Sequence, residues 1–227
     1  MIIKIIELFT IFIILPFLYV YFDLDHYFKN QIFNGNLTIL YKLHKILLLQ
    51  IIFIYTLIIY YKKIRNFLYF KIQSFKNNFY YAKWILLRFL GIITIILTFI
   101  FYVYPERLFY PLKTFPTYIL IIVIIIYPLL SVIQQEFIFR IFFFERYYAF
   151  FQSKWEFYFT NALLFMFIHI IYKNYIALIF SFFGNFLFLS TFFKTRSVYW
   201  IVLEHSIYGL IIFYTGLGDF FYQTHSF

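Results

Sequence analysis

Thr117-Tyr-Ile-Leu-Ile-Ile-Val-Ile-Ile-Ile-Tyr-Pro128-Leu-Leu-Ser131-Val-Ile-Gln-Gln135-Glu136-Phe-Ile-Phe-Arg140 is the stretch that decides how this chain folds. The apolar run that holds it, near 118–143, exceeds the ~20 residues a helix needs to cross a bilayer. Its second half places a glutamate and an arginine among Phe and Ile. A charge at mid-bilayer costs roughly 2.5–3.5 kcal/mol on insertion scales, so such residues face a protein interior and serve a function. Pro128 marks a kink or break. Beyond it Glu136 and Arg140 stand four apart and share one helical face, where the guanidinium can hold the carboxylate in place. A pair of this kind also occurs simply to fix helix packing.

Working outward, the whole chain has this character. It is 65% hydrophobic, 29% aromatic and 12% charged over 227 residues, with a mean hydropathy of +0.87. That leaves too few charged residues to cover a soluble domain of this length. The expected fold is therefore all-α, a polytopic membrane helix bundle of about seven transmembrane helices near 2–22, 43–61, 84–103, 118–143, 155–172, 175–193 and 198–215. The first run resembles a signal peptide only in part. Glu7 interrupts it and no small-residue cleavage site follows, so it is read as a retained helix.

The formal net charge of +10 raises the question of nucleic acid. The basic residues sit at the ends of apolar spans and not along a soluble face, so no nucleic-acid partner is expected and the lipid bilayer is. Lys62, Lys63, Arg65, Lys71, Lys76 and Lys83 follow the second span without an acidic neighbour. By the positive-inside rule this places the N-terminus in the cytoplasm, with Arg146, Lys154, Lys194 and Arg196 on the same side and Asp23 and Asp25 outside. A bacterial inner membrane is the expected location. The absence of cysteine removes disulfides, thiolate metal sites and cysteine nucleophiles. The basic stretch is also the natural division, with an N-terminal helical pair and basic loop over 1–83 and a core over 84–227.

Further polar residues fall in later spans: His169 after Phe165-Met-Phe-Ile, and Glu204-His205 followed by Tyr208 and Gly209. A single buried histidine is more often a packing residue. Successive helical residues point about 100° apart, so Glu204 and His205 need not share a target. Glu136, His169 and His205 together are the side chains that water attack on a carbonyl requires. A carboxylate and one imidazole would position and deprotonate the water, and the second imidazole would hydrogen-bond the developing oxyanion.

These motifs resemble those of the CPBP (CAAX protease and bacteriocin-processing) intramembrane proteases, related to the type II CAAX prenyl endopeptidases. The resemblance rests on Gln135-Glu136-Phe-Ile-Phe-Arg140, Phe165-Met-Phe-Ile-His169 and His205-Ser-Ile-Tyr-Gly209, in that order across three apolar regions. It implies hydrolysis of a peptide or protein substrate in the membrane, CAAX-type or peptide-processing, with Gln135, Glu136, Arg140, His169 and His205 in the site. Two positions depart from the family pattern. Gln135 stands where a first glutamate is usual, and Gly209 where an asparagine often helps bind the oxyanion. Three readings follow. Glu136 is the base with Gln135 in support, or Glu204 replaces the missing carboxylate, or catalysis is lost and the chain acts as a membrane binding or bacteriocin-immunity protein. The first is preferred because the Glu–Arg pair and both histidines are kept. On the same grounds, an asparagine placed at 209 would be expected to raise activity.

Glu136, His169 and His205 would also suit zinc, and a metal-free mechanism uses the same three side chains, so the sequence admits both. The H-E-x-x-H of zinc proteases and a G-x-S nucleophile motif are absent. Gly216-Leu-Gly218-Asp219 matches an aspartyl-protease motif, but its partner would have to be Asp23 or Asp25, and neither lies in the matching Tyr-Asp motif. A proton-relaying transporter would be expected to carry inverted repeats or paired broken helices, and none is seen.

Overall fold

In the computed structural model, residues 2–28, 44–73 and 79–222 are described, with side chains of 61–73 and of residues 44 and 79 set aside. Among them every regular element is helical. Six helices are long and apolar enough to span a bilayer: α1 (Ile2–Tyr21), α3 (Tyr80–Val103), α4 (Thr117–Phe150), α5 (Lys154–Tyr172), α6 (Tyr175–Thr195) and α7 (Val198–Phe221). Between α1 and α3 runs α2 (His44–Gln73), whose apolar part is Lys45–Tyr60. The bundle of about seven membrane helices expected from the sequence is the fold found.

α4 is two helices in one. Over Thr117–Tyr127 no residue is buried, and Ile121, Ile122, Ile124, Ile125 and Ile126 are exposed, as suits contact with lipid. From Val132 to Phe143 nearly every residue is buried. The change comes at Pro128, where the missing N–H interrupts the ladder and the turn widens to π-helical over Pro128–Val132. A second π-helical stretch covers Phe137–Phe142, beside Glu136 and around Arg140. The wide turns rotate successive side chains away from strict α-helical spacing, so the buried half can be packed on all sides.

It is packed mainly with aromatic edges. Phe12 of α1 meets Phe139 and Phe143 at centroid distances of 5.1 and 5.4 Å. Phe53 and Tyr60 of α2 meet Phe137 and Phe142, each at 5.3 Å. Phe165 of α5 meets Phe139 at 4.9 Å. Lipid tails are as apolar as these rings, so close packing and polar contacts, and not exclusion from water, hold such helices together.

The polar contacts sit where they are most needed. The Asn161 side-chain amide in α5 donates to the Phe139 carbonyl at 3.1 Å, inside the second wide turn, and Asn185 of α6 donates to Asn161 at 3.0 Å. At one end of the bundle Arg146 and Tyr147 close on Glu7, with Arg146 Nε and the Tyr147 hydroxyl donating to Oε1 at 3.0 and 2.8 Å. Lys154 and Arg196 both lie over the Phe193 ring at that end. At the other end Lys173 pairs with Asp23 at 2.7 Å and Arg107 with Asp219 at 2.6 Å. Arg146, Lys154 and Arg196 thus gather at the end away from Asp23. The Lys62, Lys63, Arg65, Lys71 and Lys76 side chains lie outside the described residues.

Glu7 is the one acceptor for two donors in this clasp. Glu7→Ala is expected to lower stability by about 2 kcal/mol, read as a reduced thermal midpoint in detergent. An unchanged midpoint would show that the clasp contributes nothing.

Candidate active site

Glu136 is fully buried where α4, α5 and α7 meet, and both carboxylate oxygens are occupied. His205 Nδ1 lies 2.6 Å from Oε1. Since an ionised carboxylate can only accept, Nδ1–H is the donor. Arg140 Nε lies 2.8 Å from Oε2, an ion pair by distance whose angle departs from hydrogen-bond geometry. The guanidinium is itself fully buried, between the Phe165 and Phe188 rings at 5.4 and 5.6 Å. Cation–π attraction in a dry site replaces part of the lost hydration. His205 is clamped from the other side by Phe188, stacked at 4.3 Å.

The two residues from α4 and the histidine from α7 therefore form one unit. His169 is its neighbour and not a member. Its Nδ1 lies 2.7 Å from the Phe165 carbonyl, and its ring packs on Phe165, which in turn packs on His205. A carbonyl also only accepts, so His169 Nδ1 carries the proton and a neutral ring presents a lone pair at Nε2. His169 lines a cavity with Ser131 and Gln135 from α4, Lys45 from α2, and Phe12 from α1. Gln135 donates to the Ser131 hydroxyl at 2.8 Å, which leaves its Oε1 buried without a partner.

Glu204 points elsewhere. It accepts from Thr191 at 2.5 Å and from Tyr208 at 2.9 Å, and is paired with Arg88 of α3. The reading in which it replaces a missing carboxylate finds it already bound, in a network that ties α3, α6 and α7. Gly209 is occupied in another sense, because a Cβ added there would fall on the ring and hydroxyl of Tyr127. An asparagine at 209 would meet that ring, so the gain expected from it does not fit the packing. The Gly216–Asp219 segment forms a turn. Gly216 has φ of 109° close under the Arg107 carbonyl, and Asp219 pairs with Arg107.

The donors do not fit zinc. Glu136 already carries a guanidinium on one oxygen and an imidazole N–H on the other. His169 has one nitrogen on a carbonyl, and among the described residues no group of three His, Asp or Glu is disposed to hold a metal ion.

Residues 116–211 match the family model described as type II CAAX prenyl endopeptidase Rce1-like. Over this stretch the chain is similar to that family. No curated protein and no solved structure matches the chain. The Rce1-like segment runs from the start of α4 into α7 and includes every site residue read from the sequence. The six apolar helices describe an integral membrane protein, and the match supports an intramembrane CAAX-type protease in general terms.

The sequence reading passed over Arg88, Asn161, Asn185, Thr191 and Tyr127. The first four are polar residues inside apolar spans, and the cost argument applied to Glu136 would have marked them too. Glu204→Ala removes the carboxylate partner of half-buried Arg88, which keeps the Leu187 carbonyl and the Ser190 and Thr191 hydroxyls. It is expected to destabilise the protein by about 1.5–3 kcal/mol, measured by thermal unfolding in detergent. A wild-type midpoint would mean that this network is not holding α3 to the core.

Proposed function

We propose that this protein is an intramembrane endopeptidase in which the Glu136–His205 pair activates water. The observation that carries this reading is the 2.6 Å contact between His205 Nδ1 and a Glu136 carboxylate fixed by Arg140. Glu136 holds the ring with its proton on Nδ1 and stabilises the imidazolium that forms, as a carboxylate does in serine protease triads. His205 Nε2 takes a proton from water while the water oxygen bonds to the peptide carbonyl carbon. The resulting tetrahedral oxyanion collapses, the C–N bond breaks, and the proton held by His205 passes to the leaving nitrogen. Glu136 thus acts as the orienting half of the base, with both its oxygens engaged.

His169 and Gln135 line the cavity next to this pair, and in this reading the His169 Nε2 lone pair holds the water or a substrate N–H, with Gln135 Oε1 an unpartnered acceptor behind it. Gln135 is suited to this support, since an amide can orient a donor without taking its proton. The apolar lining from Phe12, Ile138 and Phe139 favours a peptide or protein substrate delivered within the bilayer. A prenylated CAAX-type end is one such substrate. The core 84–227 would carry catalysis and 1–83 would close it on one side. With Arg146, Lys154 and Arg196 at the α1 N-terminal end, the positive-inside rule favours a cytoplasmic N-terminus.

Purified protein with a panel of fluorogenic peptides, prenylated and plain, tests this directly. Glu136→Gln keeps the shape and removes the charge, so turnover should fall at least ~100-fold, in the range of acid–base contributions. His205→Ala should fall as far with folding intact, and His169→Ala should lose most turnover. Wild-type turnover in Glu136→Gln would sink the assignment of the pair as base.

A further inference from the structure

The oxyanion formed on attack needs a hydrogen-bond donor, and in the reading above both imidazoles offer lone pairs to the site. The position that often supplies one in the family is Gly209, which has no side chain. Its space is filled. A Cβ at 209 would land on the Tyr127 hydroxyl and its ring, so the phenol stands where a residue-209 side chain would begin. Gly209 lies one helical turn after His205 on α7, and the Tyr127 ring meets the His205 ring edge to face at 6.4 Å.

The placement along α4 agrees. Tyr127 stands one wide turn before Ser131, which lines the cavity with Gln135. Tyr127 is also the last residue before the first wide turn, at the seam between the lipid-facing and buried halves. Tyr127 is half-buried, and its hydroxyl makes no hydrogen bond among the described residues. A packing role would need only a phenyl ring. A free O–H against Gly209, on a ring that meets His205, is what an oxyanion site can use.

We propose that Tyr127 is a catalytic residue whose hydroxyl donates a hydrogen bond to the oxyanion formed on the substrate carbonyl. The phenol keeps its proton throughout. The negative charge appears on the carbonyl oxygen as the water oxygen bonds to carbon, and it disappears when the C–N bond breaks. The inference rests on the proteolytic reading above but concerns a different atom.

The test uses full-length protein and a peptide that wild type cleaves. Tyr127→Phe keeps the ring on Gly209 and His205 and deletes only the donor. Its kcat should fall ~100-fold, the scale for one oxyanion donor, with KM and the thermal midpoint near wild type. A second comparison separates chemistry from packing. Tyr127→Ala vacates the space at 209, and adding Gly209→Asn to it supplies a new donor there, so the double variant should recover at least ~10-fold in kcat over Tyr127→Ala alone. Wild-type kcat in Tyr127→Phe overturns the proposal even when Glu136→Gln is inactive. Loss in Tyr127→Phe with full activity in Glu136→Gln supports the donor and overturns the assigned base. A wild type that cleaves no peptide in the panel overturns the proteolytic reading, and this proposal with it.

Discussion

The buried ion pair of Glu136 and Arg140 is the constraint around which the rest is built. In hydrocarbon neither charge can be hydrated, and desolvating each costs several kcal/mol that only close partners offset. The chain answers part of that demand with His205 on one carboxylate oxygen, Arg140 on the other, and two aromatic faces around a guanidinium whose nitrogens make no hydrogen bond among the described residues. Those partners come from α4, α5, α6 and α7. Satisfying one charge pair therefore fixes four helices relative to one another, and the same contacts aim His205. In this core the cost of burying charge and the precision of the site have one cause.

Glu204 shows the same physics used for a different end. It is as fully buried as Glu136, yet its partners Arg88, Thr191 and Tyr208 leave no oxygen facing the cavity. Two adjacent residues on α7 thus divide the work, with Glu204 toward α3 and α6 and His205 toward α4. That division agrees with the angular separation of neighbours on a helix. Burial alone does not tell the two carboxylates apart; their partners do, an imidazole for Glu136 and a guanidinium with two hydroxyls for Glu204.

Much of this was legible in the residues. Long apolar runs defined the bundle, and the four-residue spacing of Glu136 and Arg140 gave their contact. The order of the three motifs led to His205. Three things were hidden for physical reasons. The wide turns at Pro128–Val132 and Phe137–Phe142 leave no mark on an already continuous apolar run. The proton position on His169 is set by the Phe165 carbonyl, a backbone group that no side-chain pattern reveals. The filling of Gly209 by Tyr127 joins two helices far apart in sequence. Glycine at that position read as a loss because its neighbour in space could not be read from its neighbours in the chain.

That last contact ties the histories of two positions together. While a tyrosine ring occupies the space at Gly209, no residue with a side chain fits there. A lineage with a side chain at 209 would equally have no room for an aromatic ring at 127. Either exchange made alone passes through a collision or an empty hole, so the two positions are expected to drift as one unit. Relatives of this core should fall into two groups, each with its own pairing and few sequences between them.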